Sequence, residues 1–274
     1  MVYLLLAIAC STGVSLALRF SKTKVGNNYG LLCINYLMCI LLSLNGRVDT
    51  LMIQGNTSIT LLIAGISGIL YMASFVALQK NISINGLIYS SLFAKLGLVV
   101  TLLISVLFFQ EIPTVLSILG ILLALAGIFY LNHSKESIHN IRMLIILLAV
   151  GGLCDSMSKI FSELGETVNN NAYLFYTFLF ALLTSLIFLF KEKQKAGKYE
   201  ILYGCLVGIP NFFCSKFLLL ALNSLKAIIV YPCYSVGSIL TIGLSGMLLF
   251  HEKIDKRGMI AYLMMIIAIV LLNI

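Results

Sequence analysis

The sequence predicts an all-α integral membrane protein, with ten transmembrane helices arranged as two inverted five-helix repeats. Three observations predict it. Of 274 residues, 61% are hydrophobic and only 10% are charged, whereas about 25% of a soluble domain is charged. Apolar runs of roughly 20 residues, long enough to cross a bilayer, fill the chain, and the mean hydropathy is +1.07. The two halves also repeat one order of features. Lipid offers backbone groups no hydrogen bonds, so only helices or closed barrels span it. The strict alternation of an outer-membrane barrel strand is absent from these runs.

Taken in order, the apolar runs place helices near 2–19, 29–45, 58–79, 83–109, 112–131, 142–161, 171–190, 200–221, 225–250 and 256–273. Short polar connections separate them, among them "KTKVGNN", "LNGRVDT", "LNHSKES", "KEKQKAGK" and "HEKIDKRG", each with turn-forming residues. None is large enough for a soluble domain. The opening "MVYLLLAIAC" has the outline of a lipoprotein signal ending at Cys10. It lacks the basic start of such signals, and the repeat uses it as a first span.

The repeat divides the chain into 1–133 and 140–274. When Glu111 is set on Glu252, "SVLFFQEIPTVLSILGILLALAGIFYLN" runs without a gap onto "SGMLLFHEKIDKRGMIAYLMMIIAIVLLN". "LLAIACSTGVSLALRF" similarly lies opposite "LLAVGGLCDSMSKIF". Five spans is an odd number, so the second half enters the membrane from the opposite face. Many secondary transporters share this plan, with substrate bound near the midplane.

The paired "LLFxE"-type ends at Glu111 and Glu252, the closing helices ending in Leu-Asn, "FAKLGLVVTLLIS" and "GIPNFFCSKFLLLALNSLKAIIVYP" carry a resemblance to a known family. The chain resembles the EamA-like ten-helix carriers of the drug/metabolite transporter superfamily over essentially its whole length. That resemblance implies a transporter fold and leans toward metabolite export. It is weak for substrate, because the family moves amino acids, amines, nucleotide sugars and other metabolites.

The net charge of +8 does not read as a nucleic-acid surface, because the basic residues sit in short loops between spans. On the side holding both termini the loops carry Arg47 and Lys226. The other side carries Arg19, Lys22, Lys24, Lys80, Lys135, Arg142, the lysines of 191–198, and Lys253, Lys256 and Arg257. Loop lysine and arginine mark the cytoplasmic side, so both termini are expected outside a multi-pass cytoplasmic-membrane protein.

Four charges fall inside expected spans: Lys95, Asp155, Lys159 and Lys216. A charge at bilayer depth costs about 2.5–3.5 kcal/mol on insertion scales and marks function by default. From the 1.5 Å rise per residue, Asp155 lies roughly 10 Å and Lys216 roughly 8 Å in from the terminus side, with Lys95 near midplane. Asp155 is expected to pair with Lys216 or with Lys159, its i, i+4 neighbour, leaving Lys95 without a fixed carboxylate. An i, i+4 pair at a helix end reads equally as a satisfied structural pair, and Lys159 can snorkel. The bland alternative for Lys95 is a neutral amine bonded to backbone carbonyls. Three cations against one anion favour a solute bearing a carboxylate or phosphate, such as an amino acid, an organic acid or a phosphorylated metabolite. Asp155 can also carry a proton, which would couple transport to the proton gradient.

Polar side chains within spans complete the candidate substrate site: Asn35, Ser74, Tyr89, Asn211, Tyr231 and Tyr234, with Tyr36, Tyr71, Ser90, Ser91 and Ser215 nearby in sequence. Each serves equally as glue between helices. Asn211 follows Pro210 and Tyr231 precedes Pro232, and a proline within a span frees backbone carbonyls. Glu111 and Glu252 fall on opposite faces, cannot form one dyad, and read as anchors at helix ends. Glycines such as Gly204 and Gly208 read as close-packing positions.

Seven cysteines, none at CxxC spacing, read as small buried hydrophobes. His133 and His139 sit in a polar loop without metal-ligand spacing. The chain carries no Walker motif and no GxSxG, so neither ATP drive nor enzymatic hydrolysis is expected. No cofactor or metal is expected, and the partners are a small-molecule substrate and the lipid bilayer, with no nucleic acid and a monomer or homodimer as the unit. The expectation is a secondary carrier working by alternating access. The alternatives are a flippase-type carrier of a lipid-linked anion and a non-transporting membrane scaffold.

Overall fold

A computed structural model describes residues 1–21, 24–44, 52–55, 57–131, 140–191, 197–250 and 256–273. The described residues form ten α-helices: α1 Val2–Ser21, α2 Asn28–Leu44, α3 Thr57–Leu96, α4 Leu98–Phe109, α5 Val115–Leu131, α6 Ile141–Leu164, α7 Asn170–Lys191, α8 Lys198–Leu222, α9 Ala227–Phe250 and α10 Lys256–Asn273. A 3-10 turn, Thr167–Asn169, leads into α7. Among the described residues no strand occurs. Six helical segments are long and apolar enough to cross a membrane, and four shorter apolar segments accompany them. Large apolar side chains stand outward along them, for example Leu5, Phe108, Phe190, Leu248 and Leu263. In water such a surface would be a liability; in a bilayer it is the lipid-facing side. The chain is a multi-pass membrane protein.

Helix starts follow local chemistry. Asn27, Thr114 and Asn140 each stand just before a helix, and each side-chain oxygen accepts the backbone N–H three residues on: Gly30 at 2.9 Å, Ser117 at 3.1 Å and Met143 at 3.2 Å. This is N-capping, which satisfies one orphan donor at each start. Pro113 and the Thr114 cap explain why α5 starts at Val115 rather than near 112.

One expected boundary moves. The sequence reading breaks the chain between 79 and 83, but the helix runs through to Leu96 and breaks at Gly97. The stretch "QKNISING" contains no proline, and Asn81 donates one turn back to the Ala77 carbonyl and across to that of Met143, both at 2.9 Å. At Gly97 the chain presses on α6. A Cβ at Gly152 would collide with the Gly97 carbonyl oxygen and the Val100 side chain, so only glycine permits this approach. Thr101 Oγ1 donates to the Gly152 carbonyl at 3.3 Å.

The packing divides into two compact units, Met1–Met72 with Ile160–Asn223, and Ala73–Lys159 with Ser224–Ile274. Each takes segments from both halves of the sequence. In the first unit α8 packs on α1 and α2, and α2 also packs on α7. Gly204 and Gly208 let α8 close on α2, because a Cβ at either would meet Leu31 or Asn35 carbonyl oxygen inside 3.0 Å. Phe161 stacks on Tyr173 at 4.0 Å between centroids, and the Tyr173 hydroxyl bonds Ser67 at 2.9 Å. In the second unit α10 packs on α5 and α9, and α4 on α9. Its core includes Leu98, Leu102, Ala124, Ile128, Ile228, Val236 and Met265.

Candidate functional site

One of the expected intramembrane charges, Lys159, meets a carboxylate in the second unit, and the pairing is not the expected one. Lys159 turns to Glu111 and does not snorkel. It is 2% exposed, and its Nζ lies 2.7 Å from Glu111 Oε1, itself 9% exposed. The left-handed turn at Gln110, φ 50°, ends α4 and swings Glu111 into place, and the Glu111 N–H reaches the Ser105 carbonyl at 3.1 Å. The carboxylate then accepts the Ala227 N–H on Oε1 and the Ile228 N–H on Oε2, each at 3.0 Å. These are the first residues of α9, whose positive dipole end favours an anion. Phe109 lies under the ammonium at 5.4 Å. Glu111 is therefore a helix-end anchor, as expected, but it secures the start of α9 rather than the turn into its own closing helix.

The positive charge whose field acts on Asp155 is that of Lys95. Lys95 is half-buried at the end of α3, and Asp155 lies on α6. The Asp155 side chain is exposed.

The remaining groups of the second unit gather near it. Tyr231, 2% exposed, donates its hydroxyl to the backbone carbonyl of Asp155 at 2.7 Å. Pro232 follows inside α9 and lacks the N–H that would serve the Ile228 carbonyl. Ser156 donates to the Gly152 carbonyl at 2.6 Å. Ser74 lies against Gly151, with its Oγ 3.8 Å from where a Cβ there would stand. Gly151 and Asp155 are one turn apart on the same helix face, so Ser74 flanks the Asp155 face. Tyr234 is half-buried on α9, one turn beyond Tyr231.

In the first unit Asn35 and Asn211 do meet: Asn211 Nδ2 donates to Asn35 Oδ1 at 3.1 Å. Cys39 donates to the Gly208 carbonyl at 3.4 Å beside them. This is a bond between α2 and α8, the helix-glue alternative for both asparagines. Tyr71 bonds Ser215 at 3.3 Å. Lys216 is half-buried with its ammonium 5.8 Å from the Phe212 ring centroid. Glu252, His133, His139, Arg47 and the side chain of Tyr89 lie outside the described residues. Among the described residues no group of three or more His, Cys, Asp or Glu side chains is placed to hold a metal.

The sequence reading passed over Glu200. It is 5% exposed, and its carboxylate accepts the N–H groups of Gly26, Asn27 and Gly197 at 2.9, 3.1 and 2.8 Å. Its place in the first turn of α8 was the available signal, since carboxylates favour helix N-termini.

Residues 142–274 match the sequence model of the EamA-like transporter family. The EamA-like family is a member of the drug/metabolite transporter superfamily. Over 281 aligned positions the chain is 25% identical to an uncharacterised protein of Haemophilus influenzae, with 97% of this chain and 95% of that protein covered. A crystal structure of a protein at 15% identity superposes with a TM-score of 0.75, covering 98% of this chain and 94% of the other. At that identity the likeness concerns the fold alone.

Proposed function

We propose that this chain is an EamA-like secondary carrier that moves a small zwitterionic or anionic metabolite across the cytoplasmic membrane by alternating access. The observation that supports the reading is two opposite charges within apolar helices, Lys95 half-buried on α3 and Asp155 exposed on α6. Intramembrane charges are expensive and are kept for solute or ion pathways. With Lys159 neutralised by Glu111, Lys95 and Asp155 present one positive and one negative group. An amino acid offers the complementary carboxylate and ammonium. Tyr231 holds the Asp155 backbone and Ser74 flanks the same face, which supports a fixed carboxylate position. In this reading the two five-helix halves, α1–α5 and α6–α10, are inverted repeats, and both termini lie outside.

The test is uptake into proteoliposomes of labelled amino acids, hydroxy acids and phosphorylated acids, with wild type, Lys95→Ala and Asp155→Asn. A tenfold or greater loss in both variants supports a zwitterion held at both ends. A loss in Lys95→Ala alone supports a purely anionic solute. Variants that transport as well as wild type, or movement of a lipid-linked anion in place of every soluble probe, would overturn the proposal.

A further inference from the structure

The exposed charges of the first unit are sorted by end. At one end α1 and α7 finish and α2 and α8 begin. Tyr29 at the start of α2 stacks there on Phe188 near the end of α7, with 5.7 Å between centroids. Glu200, in the first turn of α8, accepts the Gly26 and Asn27 N–H groups just ahead of α2. Among the described residues, the exposed charged side chains of this end are Arg19, Lys24, Lys191 and Lys198, all basic. Glu200 does not offset them as a surface group, because it is 5% exposed and both its oxygens accept backbone N–H groups. At the opposite end of the unit, among the described residues, the exposed charged side chains are Glu163 and Glu166.

The basic side chains stand beside apolar surface. Phe20 follows Arg19, and Phe190, 84% exposed, precedes Lys191. Tyr199 and Ile201, both exposed, stand just after Lys198. Outward apolar side chains of a membrane helix face hydrocarbon, and aromatic residues gather where acyl chains give way to headgroups. A soluble acidic partner offers nothing to those apolar side chains, whereas a phospholipid offers a phosphate and an acyl chain together. Rings also steady two of the ammonium groups: Lys191 Nζ lies 5.9 Å from the Phe188 centroid and Lys198 Nζ 5.3 Å from that of Tyr199. A ring face attracts a cation without taking its N–H hydrogens in conventional bonds, so both groups keep donors for phosphate oxygens. Glu200 holds the turn that carries Lys24 against the helix that starts with Lys198.

We propose that this end of the first unit binds anionic phospholipid headgroups. Lipid phosphates lie among Lys24, Lys191 and Lys198, and the acyl chains run along the exposed apolar side chains beside them. Each basic residue near an anionic lipid surface strengthens attachment roughly fivefold. The surface requires that the chain lie in a bilayer and is independent of solute passage at Lys95 and Asp155.

The test titrates phosphatidylglycerol and phosphatidylcholine into the purified, delipidated full chain in uncharged detergent, followed by native mass spectrometry. Phosphatidylglycerol is expected to bind about tenfold or more tightly than phosphatidylcholine. Lys191→Gln combined with Lys198→Gln should remove that preference, and Lys191→Arg combined with Lys198→Arg should keep it. Glu163→Gln combined with Glu166→Gln, at the opposite end, should leave it unchanged. Should the paired glutamine variant of the lysines fail to fold, Lys24→Gln, in an exposed turn, must lower the preference roughly fivefold. Equal binding of the two lipids overturns the proposal, as does a preference that survives the paired lysine variant or, in its place, Lys24→Gln. The readout is lipid binding and not uptake, so failure here and failure of the carrier proposal are told apart.

Discussion

Replacing Glu111 with glutamine is the most informative perturbation of this fold, because one carboxylate meets three partners. Its Oε1 faces the Lys159 ammonium at 2.7 Å and the Ala227 N–H at 3.0 Å, and its Oε2 takes the Ile228 N–H at 3.0 Å. In Glu111→Gln one oxygen becomes an NH2 group that faces a donor, and Lys159 stays buried without its counter-charge. Removing one partner of a buried ion pair costs about 3–5 kcal/mol, and losing a helix cap costs ~1 kcal/mol. The glutamine keeps one acceptor, so the expected loss is about 3–5 kcal/mol in total. Lys159→Met leaves the carboxylate its two N–H partners and the positive end of α9, so a smaller loss of about 1.5–3 kcal/mol is expected. The double variant should cost less than the sum, with a coupling of about 0.5–3 kcal/mol. Denaturant unfolding in detergent micelles, followed by helical circular dichroism, measures all three. If Glu111→Gln unfolds within about 0.5 kcal/mol of wild type, a surface-like value, or if Lys159→Met proves the worse of the two, the anchoring argument is wrong.

Other consequences can be checked in the same preparation. Gly152→Ala should lose about 1–3 kcal/mol through overpacking, since its Cβ meets the Gly97 carbonyl and Val100; unchanged melting would disprove the close approach of α4 and α6. Asn85 accepts the Asn140 N–H at 2.7 Å and donates to its carbonyl at 3.1 Å. Asn85→Leu should therefore cost about 1–3 kcal/mol and raise hydrogen exchange at 140–143, and protection equal to wild type there would count against it. A double-mutant cycle on Asn35 and Asn211 should return a coupling near 0.6 kcal/mol, typical of a bond between membrane helices, with the transport KM unchanged. A tenfold rise in KM would instead mean that the pair touches solute.

Much of the architecture was legible in the chain because bilayer solvation acts on each residue locally. Apolar length and turn chemistry placed ten helices, and the observed ones differ mainly at capped starts and at α3. The lost break near residue 80 was illegible because the side chain of Asn81 supports the helix that its residue type argued against. Gly204 and Gly208 were read as close-packing residues, and both serve that purpose against α2. The charges were found by counting, but their pairing was not. Lys159 and Asp155 are sequence neighbours on one helix face, yet Lys159 turns to Glu111, 48 residues away.

By itself the sequence determined that this is a helical membrane protein and roughly where each helix runs, and it singled out Lys95, Asp155, Lys159 and Lys216 as charges within apolar runs. These follow from the cost of placing backbone and charge in hydrocarbon, which depends on residue type and spacing. Only the tertiary structure decided that Lys159 meets Glu111 at the start of α9. Ionic and hydrogen-bond energies change steeply over a few ångströms. Those distances are set by how helices far apart in the chain pack, and periodicity along one helix carries no record of that.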